Sequence, residues 1–250
     1  LFYNSHNKYL KFIIPFLFII FFTGIILSGN RMPLLLFVFG ICLIVLFQRQ
    51  TRKFFLPFIF IFSLIFFLIF NFNKFVKDNF LSFYGQTSEM IKIVTEKDFK
   101  NENAPQYFKE FSTFYDTWLI NKYIGGGIKN FRYYCHKRAN INKNQKFICN
   151  MHPHNYYLEI LTETGIIGFI LVLLIFTITL YNSFLKKYFL DTPLKYNNII
   201  IPFIFLFIVE IFPLKSTGSF FTTGNATYLF LIMAILVGLS GKENLIEKKD

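Results

Sequence analysis

The sequence predicts an all-α integral membrane protein with six transmembrane helices and one large extracytoplasmic loop that contains amphipathic helices. Two observations carry this prediction: long apolar stretches without a formal charge recur along the chain, and Lys and Arg cluster in alternate short connections between them. Of the 250 residues, 54% are hydrophobic and 38 are phenylalanine, and the mean hydropathy is +0.46. A soluble protein would interleave polar residues with its apolar ones, because each surface helix needs a solvated face.

The apolar stretches are long enough to cross a bilayer. Residues 12–30, 32–48, 54–73, 164–185 and 216–241 carry no formal charge, and residues 196–214 carry only Glu210. A helix needs about 20 residues to cross a hydrocarbon core about 30 Å thick. The predicted transmembrane helices are 11–28, 33–48, 54–72, 165–182, 199–214 and 226–241.

The distribution of Lys and Arg predicts the orientation of these helices. The connections 1–11, 48–53, 183–198 and 241–250 carry eleven Lys and Arg residues, whereas 29–32 and 215–225 carry only Arg31 and Lys215. Short connections rich in Lys and Arg stay in the cytoplasm, so both termini of this chain are predicted to be cytoplasmic. The net charge of +12 therefore reflects membrane topology, and no nucleic-acid partner is expected.

The chain divides into three parts on this topology. Residues 1–73 hold the first three membrane helices, 74–154 form the outside loop domain, and 155–250 hold an interfacial helix, the last three membrane helices and a cytoplasmic tail. The first apolar run lacks the small-residue cleavage site of a secretory signal. Because the sequence starts with Leu1 and not Met, we expect it to begin inside a longer protein.

Within the outside loop, residues 105–123 have the pattern of an amphipathic helix. Pro105 suits a first helical turn, and the glycines at 125–127 suit the end of a helix. The apolar stripe consists of Phe108, Phe111, Tyr115, Trp118 and Leu119. We interpret this stripe as packing or interface anchoring, with a sugar-binding platform as the alternative. Residues 85–104 and 136–147 give no firm structural prediction.

The three cysteines separate into two groups. Cys42 falls within a predicted membrane helix, whereas Cys135 and Cys149 fall in the outside loop. In an oxidising compartment such a pair favours a disulfide, with two free thiols as the alternative. A zinc site is not expected, because the chain has no CxxC motif and His152 and His154 are only two residues apart.

The stretch "HPHNYYLEILTETGIIGF", residues 152–169, places titratable groups directly before an apolar run. Pro153 suits a first turn, so we expect a short interfacial helix to begin near His154, with Gly165 and Gly168 allowing a bend into the membrane helix. Histidine suits proton transfer near neutral pH, and Glu159 or Glu163 is placed to orient such a group. The plainer interpretation of either histidine is a polar residue at the membrane surface.

Other polar groups near the predicted outer surface have two readings each. Arg31 is either a snorkelling anchor or a guanidinium that binds phosphate. Glu210 lies five residues before Lys215, so an interfacial ion pair is the plainer interpretation of both. The segment "GGGIKNFR", residues 125–132, is either a simple turn or a backbone nest, with Lys129 and Arg132 facing an anion.

Four motifs in order resemble the O-antigen ligase and polymerase family of bacterial membrane glycosyltransferases. They are "SGNRMPLL" at 28–35, "IGGGIKNFRYYC" at 124–135, "CNMHPHNYYLEILTETGIIGF" at 149–169 and "FPLKSTGSFFTTGNATYLFLI" at 212–232. The resemblance extends from about residue 12 to about residue 240 and is most specific at the histidine motif. "SGNR" by itself is a weak signal.

The resemblance implies a GT-C-like enzyme of lipopolysaccharide biosynthesis in the bacterial inner membrane, with the large loop in the periplasm. Its donor would be an undecaprenyl-diphosphate-linked glycan, and its acceptor lipid A-core or a lipid-linked glycan. The implied chemistry is inverting, metal-independent and without a cofactor. Since family members have more membrane helices than this chain, the six predicted here correspond to a C-terminal half.

By position, His154 matches the family's proposed catalytic base, and Arg31 matches an arginine thought to contact the diphosphate. A second family arginine has no clean counterpart, with Arg132 and Arg138 as candidates. The expected substrate-binding residues are His152, Asn155, Glu159, Arg132, Lys215 and Glu210. The two loop cysteines, Cys135 and Cys149, also look familiar from members of the family.

Two rival classes stay open at this point. A transporter or flippase for a lipid-linked glycan or small anion would also use basic residues between helices, but it would place paired charges or broken helices near the bilayer centre. A membrane-anchored receptor would have no need for Arg31 and His154 together. The sequence does not separate a ligase from a polymerase, which share fold and motifs.

Overall fold

The computed structural model describes residues 8–47, 52–96, 105–138, 149, 154–190, 199–216 and 218–247. Throughout these ranges the regular structure is helical. Among the residues that the sequence singled out, His152 and Pro153 lie outside the described ranges.

The helices are, in chain order, α1 (Lys8–Leu27), α2 (Arg31–Phe47), α3 (Arg52–Phe72), α4 (Lys74–Glu96), α5 (Gln106–Trp118), α6 (Phe131–Cys135), α7 (Tyr156–Leu180), α8 (Ile200–Glu210) and α9 (Thr223–Glu247). Beyond Leu180, α7 continues with π-helical hydrogen bonding over Tyr181–Leu190. Each of the six predicted membrane segments coincides with one of the apolar helices α1, α2, α3, α7, α8 and α9.

Within the described ranges, two helical segments are long and apolar enough to cross a membrane: Tyr156–Leu185 and Thr223–Gly241. A third candidate exists if the bent pair α3 and α4 is a single broken span. The apolar segments Pro15–Leu27, Arg31–Phe47 and Ile200–Glu210 are shorter. The structure therefore supports a helical membrane protein with two or three candidate spans, and the six-span arrangement stays a prediction.

The described chain forms two compact units, residues 1–101 and 102–250. The first unit is built around phenylalanine. Phe22 stacks on Phe62 with ring centroids 4.2 Å apart, and Phe37 contacts both rings at 5.6 and 5.7 Å. Aromatic pairs at these separations are favourable beyond the apolar area they bury, which explains how three helices with so few polar groups pack specifically.

Helix α4 was not predicted. It follows α3 after a bend of 101° at a single residue, Asn73. The Asn73 backbone still bonds into α3, with its N–H 2.8 Å from the Ile69 carbonyl oxygen, while its side-chain oxygen accepts from the Val76 amide at 3.1 Å. Asn73 thus ends one helix and caps the next. The polar surface of α4 obscured its helical pattern in the sequence.

In the second unit, α5 confirms the predicted amphipathic helix but ends at Trp118 and not at residue 123. Helix α5 ends at Trp118 for two physical reasons. Ile120 and Asn121 donate to carbonyls three residues back, which tightens the last turn, and the Trp118 indole N–H donates to the Lys122 carbonyl at 3.0 Å. The chain then turns toward the glycines that follow.

A small core fixes α5 against α6. The rings of Phe114 and Phe131 lie 4.5 Å apart, and they pack with the disulfide between Cys135 and Cys149. The predicted disulfide is therefore confirmed. It closes a sequence separation of 14 residues, and a loop of this length is typically worth about 3 kcal/mol in the chain-entropy model.

A candidate active site at the start of α7

Asn155 caps α7, so the helix begins at Tyr156, later than the predicted start near His154. Its side-chain oxygen accepts from the amides of Tyr157 and Leu158 at 3.0 and 3.2 Å. Its side-chain amide donates to the carbonyls of Pro213 and Lys215 at 2.7 and 3.3 Å. The Asn155 side chain is thus engaged on both sides and ties the start of α7 to the segment after α8.

His154 is half-buried immediately before this cap. It lines a narrow cavity of about 10 Å³, which has room for roughly one water molecule. The other residues of the cavity are Glu110, Phe111, Phe114, Asn155, Leu158 and Ser216. Glu110 is buried, and its carboxylate accepts from the Gln106 side chain at 3.0 Å. The imidazole therefore lies beside a cleft with aromatic walls and a few polar groups.

Lys215 and Glu210 form an ion pair, as the plainer sequence interpretation expected. Tyr156 joins the pair: its hydroxyl donates to Glu210 at 2.7 Å and accepts from the Lys215 ammonium at 3.1 Å. The side chains of Lys215 and Glu210 are only 11% and 12% exposed. Because Glu210 neutralises the ammonium, Lys215 offers a substrate little net positive charge.

Tyr156 and Tyr157 were missed as functional residues. The Tyr157 hydroxyl donates to the Ile211 carbonyl, a contact that no sequence pattern indicates. Together with Asn155, these two tyrosines attach three successive residues of α7 to the end of α8 and the turn after it. Their spacing in the sequence gave no signal, since the partners lie more than fifty residues away.

Glu159 is buried, with 2% of its surface exposed. Its two carboxylate oxygens accept from the Ser219 hydroxyl and the Phe220 amide. Glu159 therefore holds the loop between α8 and α9 against α7. Both carboxylate oxygens are engaged in holding this loop. The contact between Glu159 and substrate stays a prediction.

The glycine segment docks on α7 by its backbone. The amides of Gly126 and Gly127 donate to the carbonyls of Thr162 and Glu163 at 2.9 and 2.8 Å, and the Lys129 amide donates to the Glu163 carboxylate at 2.7 Å. The sequence left a simple turn and an anion-binding nest open for this segment. Of these three amides, the Lys129 amide binds a side-chain carboxyl of the chain itself, that of Glu163, and the two glycine amides bind backbone carbonyls.

Gly165 produces the predicted bend. Its backbone has φ +67° and ψ −172°, a region that is essentially restricted to glycine. The freed amides of Ile166 and Ile167 donate to the carbonyls of Lys122 and Tyr123 at 2.9 and 3.2 Å. A Cβ on Gly165 would collide with the Tyr123 backbone. The kink thus lies where amides of α7 donate to carbonyls of the loop after α5 and not to carbonyls of α7 itself.

Arg31 belongs to the first compact unit, where it is the first residue of α2. The preceding turn contains Gly29 with φ +63°, and the Ser28 hydroxyl accepts from the Asn30 amide at 3.2 Å. The segment from Ser28 to Asn30 is therefore a tight turn between α1 and α2. The Arg31 guanidinium carbon lies over the Phe83 ring, 5.4 Å from its centroid.

The structure separates the two candidates for a second arginine. Arg132 lies exposed on α6. Arg138 is buried, and one guanidinium nitrogen donates to the Cys135 carbonyl at 3.0 Å and contacts the sulfurs of Cys135 and Cys149 at 2.7 and 3.0 Å. Arg138 thus supports the disulfide, which leaves Arg132 as the accessible candidate.

Asp116, which is half-buried, carries a charge opposite to that of Arg138. Burial raises the pKa of Asp116, and the nearby Arg138 guanidinium partly offsets this rise. Burial likewise lowers the pKa of Arg138, and Asp116 opposes that change. Each group is therefore the electrostatic partner of the other, which is the arrangement that a desolvated charge requires.

A family model described as O-antigen ligase matches residues 16–173, which is more than half of the 250-residue chain and includes Arg31, His154 and the Gly165 kink. No curated protein matches the chain, and no solved structure matches it.

Proposed function

The chain belongs to the O-antigen ligase family, and on that premise we propose that it transfers an undecaprenyl-diphosphate-linked glycan to an acceptor sugar hydroxyl. The acceptor is lipid A-core for a ligase or a second lipid-linked glycan for a polymerase. The reaction takes place at the periplasmic face of the bacterial inner membrane. The observation that carries the proposal is the placement of His154, half-buried at a narrow cleft and held by the cap at Asn155.

His154 acts as the general base in this proposal. A ring nitrogen of the imidazole takes the proton of the acceptor hydroxyl, and the oxygen attacks the anomeric carbon of the donor sugar. The bond between that carbon and the phosphate oxygen breaks, so the configuration inverts and undecaprenyl diphosphate leaves. Proton transfer of this kind contributes about 10²- to 10⁴-fold to a rate, and the step requires no metal ion or cofactor.

Arg31 stabilises the charge that develops on the departing diphosphate. Its guanidinium offers a planar fork of donors that matches phosphate oxygens. As the first residue of α2, it also lies where unpaired backbone amides and the helix dipole favour an anion. The charge pattern of the connecting segments predicts Arg31 and His154 on the same side of the membrane, and we propose that each of them contacts the lipid-linked donor.

The remaining predicted residues take supporting roles. Arg132 is exposed and suits a second contact to the donor. Lys215 and Glu210 hold the turn after α8 through Tyr156 and so position the entry to α7, and Asn155 and Glu159 fix the same loops. His152 remains a candidate for orienting the acceptor.

The proposed topology is a GT-C-like arrangement with six membrane helices and cytoplasmic ends. α1, α2, α3, α8 and α9 cross the bilayer together with the part of α7 that follows Gly165. The first turns of α7 lie in the periplasmic interface. The 101° bend before α4 suits a helix that leaves the membrane and lies along its surface, because α4 carries apolar residues on one side and charges on the other.

Deletion of the gene, with complementation, tests the function. We expect long glycan chains to disappear from lipid A-core on gels of surface polysaccharide. Accumulation of lipid-linked polymer then identifies a ligase, because the polymer is made but not transferred. Products with a single repeat identify a polymerase. Unchanged glycans together with altered uptake of an anion contradict transfer and favour the transporter.

A further inference from the structure

One face of α4 receives the turn that precedes Arg31. Phe75, Asn79 and Phe83 are spaced by four residues, so they form a single stripe along the helix. A Cβ on Gly29 would come within 2.9 Å of the Phe75 ring and 2.6 Å of the Asn79 side-chain nitrogen. At the next position of the stripe, the Phe83 ring lies 5.4 Å from the Arg31 guanidinium carbon.

The close approach explains the glycine of this turn. Gly29 has φ +63° and no room for a side chain, so the backbone between α1 and α2 rests directly on α4. This packing fixes the backbone position of Asn30 and Arg31, the two residues that follow. Arg31 would otherwise be a long side chain with many rotamers, whose ordering costs free energy on binding.

Cation–π contact restrains such a side chain without consuming its donors. The ring attracts the face of the guanidinium, whereas the N–H groups point outward in the plane of the guanidinium. An arginine held by an aromatic ring therefore keeps its donors for an oxyanion. An arginine restrained by a carboxylate would have its charge neutralised, as Lys215 has by Glu210.

We propose that Phe83 is a positioning residue for Arg31, holding its guanidinium ready for the diphosphate of the lipid-linked donor. The effect on catalysis rests on the proposed function. The contact between Phe83 and Arg31 is a feature of the first compact unit itself. It gives α4, which the sequence did not predict, a role: the helix carries the aromatic support for the anion-binding residue.

A ring series tests the proposal. Phe83→Leu keeps an apolar side chain and removes the ring, whereas Phe83→Tyr and Phe83→Trp retain a ring face. Tyr84→Leu is the matched control, because it removes the neighbouring ring of α4, which is 75% exposed and is not part of the stripe. All variants are made in the full-length protein and compared at equal abundance and thermal unfolding temperature.

The first measurement needs no catalytic activity. Phenylglyoxal modifies arginine, and peptide mass spectrometry gives its rate at Arg31 in the purified protein. We expect Phe83→Leu to accelerate the modification several-fold, because the ring no longer covers the guanidinium, and Tyr84→Leu and Phe83→Tyr to leave it unchanged. Equal rates at Arg31 in the wild type and Phe83→Leu overturn the contact.

The second measurement is glycan transfer from undecaprenyl-diphosphate-linked donor. We expect Phe83→Leu to lower kcat/KM for the donor on the order of tenfold, a typical loss for a partly desolvated cation–π pair, with KM for the acceptor unchanged. Phe83→Tyr and Phe83→Trp restore the wild-type value. Faster modification of Arg31 with unchanged donor kinetics overturns the positioning role.

Arg31→Ala separates this inference from the function on which it rests. If Arg31→Ala impairs transfer and Phe83→Leu does not, the inference alone is wrong. If Arg31→Ala transfers glycan like the wild type, the assigned role of Arg31 fails, and the positioning role of Phe83 fails with it. The modification rates then still report whether the ring covers the guanidinium.

Discussion

Replacing His154 with alanine or glutamine is expected to abolish glycan transfer while the protein remains inserted at normal abundance. The imidazole is the only predicted general base among the described residues of the candidate site, and loss of such a group costs about 10²- to 10⁴-fold in rate. Neither substitution disturbs the α7 cap, because that cap is formed by Asn155. The measurement is transfer from a lipid-linked donor in membranes that contain equal amounts of each variant.

His136→Gln is the matched control for this experiment. His136 lies in the same compact unit as His154, exposed at the end of α6, and has no proposed part in transfer, so activity should be unchanged. Transfer by His154→Ala above a hundredth of the wild-type rate would exclude His154 as the base. Loss of the protein from the membrane would instead assign His154 to folding.

Gly165→Ala is expected to destabilise the protein strongly. The φ of +67° and ψ of −172° at this position are strained for alanine, which costs about 1 to 3 kcal/mol. The new Cβ also collides with the Tyr123 backbone, and separating the two segments breaks the hydrogen bonds of Ile166 and Ile167. We expect a loss of at least about 3 kcal/mol, seen as a much lower unfolding temperature in detergent.

Gly238→Ala provides the comparison within α9. A Cβ at Gly238 meets nothing within 4 Å, and alanine favours a helix over glycine by about 1 kcal/mol. The control should therefore be unchanged or slightly more stable. Equal unfolding temperatures for the two alanine variants would show that the kink at Gly165 does not depend on glycine.

The features that the sequence predicted correctly depend on local pattern. Uncharged stretches located the apolar helices, since their length and hydropathy are visible in a single segment. The bend followed from two glycines, Gly165 and Gly168, at the passage from a polar turn to an apolar run, and the structure places it at Gly165. The disulfide followed from two cysteines in one outside loop. Each of these predictions required no knowledge of which distant segment would lie nearby.

The contacts of the acidic residues in α7 could not be predicted in the same way. The sequence suggested that Glu159 or Glu163 would orient a histidine, because both lie near His154 in the chain. In the structure, Glu159 binds the loop at Ser219 and Glu163 binds the amide of Lys129. Tertiary packing determines which loop lies against α7. Each carboxylate then accepts hydrogen bonds from the backbone or hydroxyl donors of that loop.

Burial decided between residues that the sequence treated as equal. Arg132 and Arg138 are two arginines in one loop, and only the structure shows Arg138 enclosed beside the disulfide. Helix α4 was missed for a related reason: its charges conceal an apolar face that becomes evident once its neighbours are known. Arg31 then acquires an aromatic partner, Phe83, that no spacing rule connects to it.

The most direct test of the central claim is a cysteine pair, Arg31→Cys with His154→Cys, in a Cys42→Ala background that keeps the native disulfide. If both groups contact the lipid-linked donor at the periplasmic face, a membrane-impermeant maleimide labels each cysteine from the periplasmic side, and the undecaprenyl-diphosphate-linked donor slows the labelling of both. Labelling of either position only after the inner membrane is opened, or labelling that the donor leaves unchanged, would contradict the account.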